Sequence, residues 1–297
     1  DYEDSKEYIS KSKFPIVIKA DGLAAGKGVT IAHSAEEALQ ALDDAMQKKI
    51  FGPAGTKVVI EDFLQGEEAS FIVLCDGKKT IPFASSQDHK ARDNNDLGPN
   101  TGGMGAYSPA PIVTEEIHKQ VMEKIIKPTI DGLKSEGITY KGFLYAGLMI
   151  KNSEISVLEF NCRFGDPETQ PILMRMESDL AEICLLAAQG NLNEREISWT
   201  KDSALGVVIA SKGYPFEYEK NKEINNLENE NPRQKVFHAG TKTQEGQVLS
   251  NGGRVLCVTA LGSTLLDSKN LAYQKVKNID WKDGFYRDDI GDKAIKS

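Results

Sequence analysis

The sequence predicts an α/β (α+β) chain whose strands pair largely through hairpins. Three observations carry this. Strand and helix patterns alternate through residues 1–62. Turn signals at Asp76-Gly77 and Asn152-Ser153 sit between apolar runs that would pair as antiparallel strands. Helix punctuation recurs, with a capping-box pair at Ser34 and Glu37 and a terminal glycine at Gly190. At 297 residues the chain has room for one large or two to three modest domains.

In order along the chain, a charged helical segment leads into the apolar run FPIVIK. The loop KADGLAAGKG, Lys19 to Gly28, follows, and then the β-branched run VTIAH, which reads as a strand. The common phosphate loop needs four residues between two glycines, then Gly-Lys-Ser or Gly-Lys-Thr opening a helix. Here only Leu23, Ala24 and Ala25 separate Gly22 from Gly26, and Gly28 stands where the hydroxyl residue would be. The loop is therefore expected to be the mobile tip of a hairpin, a lid whose backbone N–H groups and Lys27 could fold over a triphosphate. A helix carrying Ala38, Leu39, Leu42, Ala45 and Met46 on one face comes next, then the strand TKVVIEDF.

A second block opens with EASFIVLC and KKTIPFA around Asp76-Gly77. Residues 85–111, rich in Gly and Pro, are too long for an idle turn and read as functional or disordered. A helix from Thr114 through Ile117, Val121 and Ile125 is expected to kink or stop at Pro128. The runs GFLYAGLMI and ISVLEFNCRF form a strand pair, and SDLAEICLLAAQG a closing helix. A third block begins near Ile197, with strands LGVVIAS, KVFHAGT and GGRVLCVTALG and a helix from Leu265 to Lys277. The acidic, Asn-rich stretch 217–230 reads as an exposed loop.

Composition narrows the function. The formal charge is −8 without a basic run, which argues against nucleic acid while leaving room for a local anion pocket. Cys75, Cys162, Cys184 and Cys257 are widely spaced in apolar surroundings, as expected of reduced, buried thiols in a cytoplasmic protein. No signal peptide or membrane-spanning run is visible. The chain begins at Asp1 rather than Met, which suggests an upstream part is missing.

Three stretches carry chemistry. In SVLEFNCRFGDPE, strand alternation places Val157, Glu159, Asn161 and Arg163 on one face and Leu158, Phe160, Cys162 and Phe164 on a core face. Oxygens at Glu159 and Asn161 suit magnesium, and Arg163 suits a carboxylate or phosphate. Asp166 and Glu168 extend the polar cluster. In EDFLQGEE, the backbone after Glu61 could offer groups to an adenine edge, with a carboxylate nearby for ribose hydroxyls. In the long loop, residues 100–105 could form an anion nest, preceded by Asp88, His89, Lys90 and Arg92. His89 reads as a surface histidine without a proton-transfer role.

With these stretches assembled, the chain resembles the glycinamide ribonucleotide synthetases (phosphoribosylamine–glycine ligases) of the ATP-grasp superfamily. The runs PIVIKADGLAAGKGV, VVIEDFLQGEEASFIV, residues 85–111, GFLYAGLMI, EFNCRFGDPETQPILMRMESDL, HAGT and NGGRVLCVTALG carry the resemblance. It implies a lid subdomain (1–62) and a central subdomain (63–196) clamping ATP between antiparallel sheets, then a β-rich C-terminal domain (197–297). It implies ATP-dependent joining of glycine to 5-phosphoribosylamine through glycyl phosphate, in purine biosynthesis. Lys19, Gly26, Lys27 and Gly28 would hold ATP phosphates. Glu61, Phe63 and Leu64 would contact adenine, and Glu68 ribose. Glu159 and Asn161 would bind Mg2+, or Mn2+ in its place. Arg163, Asp166 and Asp88 would serve the glycine and amine substrates. The family's N-terminal α/β domain is expected to be absent here. The other readings are a different ATP-grasp carboxylate–amine ligase and a nucleotide-binding fragment without full activity.

Overall fold

The computed structural model describes residues 1–22, 24, 28–193, 195–228 and 231–296. The chain divides into two compact units. One comprises residues 1–65 with 100–102, the other residues 66–99 with 103–297.

The first unit opens with helix α1 (Tyr2–Lys11), capped by the Asp1 carboxylate on the Glu3 and Asp4 N–H groups. Strands β1 (Ile16–Ala20), β2 (Val29–Ala32) and β3 (Val58–Asp62) form an antiparallel sheet in the order β2-β1-β3. The hairpin β1–β2 closes with the Ala20 N–H on the Gly28 carbonyl. Helix α2 (Ala35–Leu42) covers the sheet, and Ala38 and Leu42 join Ile9, Ile16, Ile18 and Ala32 in one core. The capping pair is shifted by one residue. Ser34 accepts the Glu37 N–H, whereas the Glu37 carboxylate accepts from His33 at 2.8 Å rather than from Ser34.

The second unit is built on β4 (Glu67–Asp76), β5 (Thr80–Pro82), β10 (Lys141–Lys151) and β11 (Glu154–Asn161), ordered β11-β10-β4-β5. Between β5 and β10 the chain forms β6 (Gln87–Asp88), β7 (Ala91–Asp93), β8 (Leu97–Asn100) and β9 (Gly105–Ser108), so the 85–111 run is neither disordered nor a plain loop. The β10–β11 turn uses Asn152 and Ser153, both at positive φ, as the sequence predicts.

Helices α3 (Glu115–Val121) and α4 (Lys127–Ser135) cover one face of this sheet, with Ile117, Val121 and Ile126 packed on Phe71, Val73, Ala146 and Leu148. Burying each such side chain contributes about 1.5–3 kcal/mol. The helix does not stop at Pro128. A π-helical turn over Met122–Ile126 joins α3 to α4, and the Lys127 N–H reaches back to the Met122 carbonyl. The ladder is already offset where proline lacks its donor, so the chain continues helical. Helices α5 (Thr169–Arg175) and α6 (Leu180–Gln189) cover the opposite face around Ile72, Leu74, Phe83 and Tyr145. Gly190 ends α6 at φ 75°, the left-handed position expected of it.

A second sheet uses β12 (Ser203–Ser211), β13 (Gln234–His238) and β16 (Arg254–Gly262), with the hairpin β14 (Thr241–Gln244) and β15 (Gln247–Ser250) beside them in sequence. Its order is β13-β16-β12-β9-β6, so two strands of the 85–111 run complete it. Helix α7 (Leu265–Asn278) packs on this sheet, β17 (Gly284–Phe285) pairs with β12, and α8 (Asp292–Lys296) ends the described chain. The 217–230 stretch is not simply exposed. Ile224 is buried and Leu227 packs against the same core, because the segment needs apolar anchors to lie along β15.

Candidate active site

The β11-β10-β4-β5 sheet sets the geometry of the site. Opposite residues share a face, so Glu68 and Ser70 on β4 lie with Gly147 and Tyr145 on β10, and with Glu159 and Asn161 on edge strand β11. The face holds because of a bulge. The register shifts between Gly147 and Leu148, which removes Val157 from the Glu159 side. The alternation read from the sequence therefore fails upstream of Glu159 and holds at Glu159 and Asn161. The expected core face fails too: Phe160 is 43% exposed, and Cys162 is exposed. At a sheet edge only one side of the strand is covered; Leu158 and Phe164 of that set are half-buried, and Phe164 packs on Phe83 and Phe143. Cys75 and Cys257 are buried, as expected, and burial pushes both thiols up to about 12.

Glu159 and Asn161 stand side by side, the Asn161 amide donating to Glu159 Oε1 at 3.0 Å. Gly147 lies opposite Glu159, and a Cβ there would come within 3.2 Å of Glu159 Cγ. Among the described residues no group of three or more His, Cys, Asp or Glu side chains forms a metal cage. Magnesium keeps water and phosphate oxygens and takes only one or two protein oxygens. The pair fits such an ion.

Beside this pair lies a charged hub that the sequence reading did not assemble. Lys90 Nζ sits 2.9 and 2.7 Å from the two oxygens of Asp88 and 3.2 Å from Glu68 Oε2. The Asp88 side chain is only 5% exposed, while a third of Lys90 remains open. Behind them Glu168 is buried, accepting from Ser70 Oγ at 2.7 Å, and Ser70 also meets the Tyr145 hydroxyl at 3.0 Å. Burial, with the Asp88 charge next, pushes the Glu168 carboxyl up to about 7 against the opposing Lys90 and Ser70. Burial likewise raises Glu68, helped by Asp88 and Glu159 and opposed by Lys90. Burial works against the Lys90 charge, but Asp88, Tyr145, Glu68 and Glu168 outweigh it and hold the ammonium protonated. One signal was legible: Ser70 is a hydroxyl within the otherwise apolar run SFIVLC.

Asp166 is exposed and pairs with Arg254 Nη2 at 2.7 Å. Strand β11 ends at Asn161, so alternation does not carry Arg163 onto the metal-bearing face. The exposed guanidinium donates to the Phe164 carbonyl at 3.0 Å. His89 is buried, not on the surface. Burial, followed by the nearby Arg287 charge, lowers its imidazole to about 4. In the first unit, Lys19 Nζ lies 2.6 Å from Glu61 Oε2. The two sit diagonally, since Val17 is opposite Glu61 and Lys19 opposite Val59. Phe63 and Leu64 follow β3 half-buried and without regular structure. Gly28 allows a close approach, because a Cβ would meet those of Ala24 and Ala20 at 2.7 and 2.9 Å. Gly26 and Lys27 lie outside the described residues.

Comparison with known proteins bears on this arrangement. Residues 1–169 match the phosphoribosylglycinamide synthetase ATP-grasp (A) domain, and residues 204–293 match the phosphoribosylglycinamide synthetase C domain. A phosphoribosylamine–glycine ligase of Vibrio vulnificus is 54% identical over 297 residues, 99% of this chain and 69% of that protein. The crystal structure of the Thermotoga maritima phosphoribosylamine–glycine ligase matches with a TM-score of 0.85 at 34% identity, covering 97% of this chain and 72% of the other. A biotin carboxylase of Campylobacter jejuni shares the fold, with a TM-score of 0.72 at 12% identity, over 100% of this chain and 64% of that one. The chain has the ATP-grasp fold and belongs to the phosphoribosylamine–glycine ligase family.

Proposed function

We infer that this protein is an ATP-dependent carbon–nitrogen ligase that joins glycine to 5-phosphoribosylamine, giving glycinamide ribonucleotide, ADP and phosphate in purine biosynthesis. The observation that carries the residue-level reading is the shared sheet face. Glu159 and Asn161 stand together at its edge, and Lys90 bridges Asp88 and Glu68 alongside. Glycyl phosphate forms when a glycine carboxylate oxygen attacks the γ-phosphorus and ADP leaves. The amine nitrogen then bonds to the acyl carbon, phosphate leaves, and the nitrogen loses a proton.

In this reading Glu159 and Asn161 hold the divalent ion, Mg2+ by preference or Mn2+, which when bound neutralises phosphate charge. Glu68 accepts from ribose hydroxyls, and Glu61, Phe63 and Leu64 line the base. Lys19 and the Gly26–Gly28 loop, with Lys27, meet the phosphates. Arg163 and Asp166 orient glycine and the amine, while Asp88 serves them through Lys90, since both its oxygens are already on that ammonium. Residues 1–62 serve as lid, 63–196 as central subdomain and 197–297 as C-terminal domain. A cytoplasmic setting fits two buried, unpaired thiols and the absence, among the described residues, of a helix long and apolar enough to cross a membrane.

The test is ADP release measured with ATP and Mg2+, adding glycine and phosphoribosylamine separately and together. Release that needs both, with glycinamide ribonucleotide as product, supports the reading. Release indifferent to glycine overturns it.

A further inference from the structure

The segment that carries Asp88 and Lys90 is gripped from two sides, and one grip comes from the far end of the chain. On one side it is stitched to β9. Asp88 pairs with Ala106, the His89 N–H meets the Gly105 carbonyl at 2.9 Å, and the Met104 N–H meets the His89 carbonyl at 2.8 Å. On the other side stands Arg287, only 2% exposed and the largest fully buried side chain among the described residues. Its Nη1 donates to the Ala91 carbonyl at 3.0 Å and lies 3.0 Å from Asp96 Oδ1. Its Nε and Nη2 engage both oxygens of Asp289 at 2.7 and 2.8 Å.

The same tail makes further bonds to the segment. The Asp289 carboxylate accepts the Asn95 N–H at 2.7 Å, and Asn94 and Asp288 exchange two bonds. The Gly291 N–H donates to His89 Nε2 at 3.3 Å, and Lys293 pairs with Asp96. Lys90 therefore lies between two residues, His89 and Ala91, that are each fixed by residues about two hundred positions away.

A buried ion cluster is a poor way to gain stability, because desolvation offsets most of the attraction. It is a good way to select one backbone position, since each charge is satisfied in a single geometry. We propose that Arg287 and the 287–293 tail form a clasp that positions Lys90, with Arg287 a positioning residue for the ligase reaction acting through the 88–91 backbone. This rests on Lys90 and Asp88 belonging to the ligase site. The planar fork matters: lysine at 287 keeps the charge but cannot serve Ala91, Asp96 and Asp289 together.

The experiment compares Arg287→Lys, Asp96→Ala, Lys90→Met and the two doubles with Lys90→Met. Asp96 is partly exposed and keeps the question answerable should Arg287→Lys fail to fold. Two readouts are taken: hydrogen exchange of the amides of residues 88–92, and kcat/KM for glycine. The clasp predicts faster exchange at 88–92 in both single variants and a loss of about tenfold or more in kcat/KM, as small misplacements at reacting centres produce. The doubles should fall within about twofold of Lys90→Met alone, because coupled residues are not additive. Unchanged exchange at 88–92 in the clasp variants overturns the clasp. A clasp-variant loss that adds in full to that of Lys90→Met overturns action through Lys90. Failure of the ligase reading shows separately, as wild-type protein without glycine-dependent turnover, and leaves the exchange readout to decide the clasp.

Discussion

Glu168 shows how one buried group becomes measurable. Its folded-state pKa, about 7, lies above the ordinary carboxylate value of 4.5 because burial and the Asp88 charge disfavour the ionised form. A carboxyl raised in this way contributes stability that is fully present below the unfolded pKa and is lost as pH rises through the folded one. That loss should therefore run from about 4.5 to about 7 and amount to as much as about 3 kcal/mol. Glu168→Gln keeps the acceptor for Ser70 and abolishes the titration. Urea unfolding at about pH 5 and about pH 8 should show the variant gaining on wild type at the higher pH; parallel profiles would contradict the assignment. At the sheet edge, Glu159→Ala should weaken nucleotide binding by tenfold or so with Mg2+ and hardly at all without it, the contribution of a lost charge-assisted ligand being about 1.5–3 kcal/mol. Equal weakening in both conditions would count against the metal role. Arg163→Lys should lower glycine-dependent turnover far more than ATP affinity, since lysine lacks the planar fork. If ATP affinity alone collapses, Arg163 is a phosphate ligand.

At the scale of elements, Gly190 offers a clean test of a cap. It sits at φ 75°, and an added Cβ would meet only ordinary contacts, the nearest being Lys141 Nζ at 3.4 Å. Gly190→Ala should thus cost roughly 1 kcal/mol from left-handed strain alone, read as a lower urea midpoint with normal turnover. A loss several times larger would mean the α6 terminus is packed more tightly than the structure shows. Local features of this kind were legible in the sequence because their causes are local. The Asp76 and Asn152 turns, the Ser34 cap and Gly190 each lie within a few residues of what they control. Helix continuation through Pro128 was not legible, because the compensating π turn leaves no mark in residue type. Nor was the bulge beside Leu158, since period-two alternation assumes an unbroken ladder. The site divided the same way. Glu159 and Asn161 are neighbours on one strand and could be read together. The hub joins residues 68, 70, 88, 90, 145 and 168, which come from both sheets, a connecting segment and a helix start, and meet only in the folded chain.

For the whole molecule, the acidic balance and the anion-holding residues make separate forecasts. With a net charge of −8, unfolding temperature should be indifferent to added duplex DNA. ATP with Mg2+ should raise it, because a ligand at a hundred times its dissociation constant adds about 2.7 kcal/mol to stability. Differential scanning at fixed Mg2+ with and without ATP checks this, and a midpoint that moves with DNA but not with ATP would refute the nucleotide reading.

The sheet that takes β9 and β6 from one part of the chain and β12 from another has a consequence for synthesis. Ala106 pairs with Gly206, one hundred residues later. At about 5–20 residues per second, the ribosome delivers the partner strand roughly 5–20 s after Ala106 has been made. During that interval the backbone of Gly105–Ser108 lacks its β12 partner, and the Lys90 segment stitched to it is held on one edge at most. Nascent chains stalled before Ser203 should therefore be cut by protease within residues 85–111, and chains stalled late enough for β12 to clear the exit tunnel should resist. The candidate site is completed only after β12 has been made, so a product truncated before Ser203 carries the Glu159–Asn161 strand without the sheet that holds Lys90 beside it.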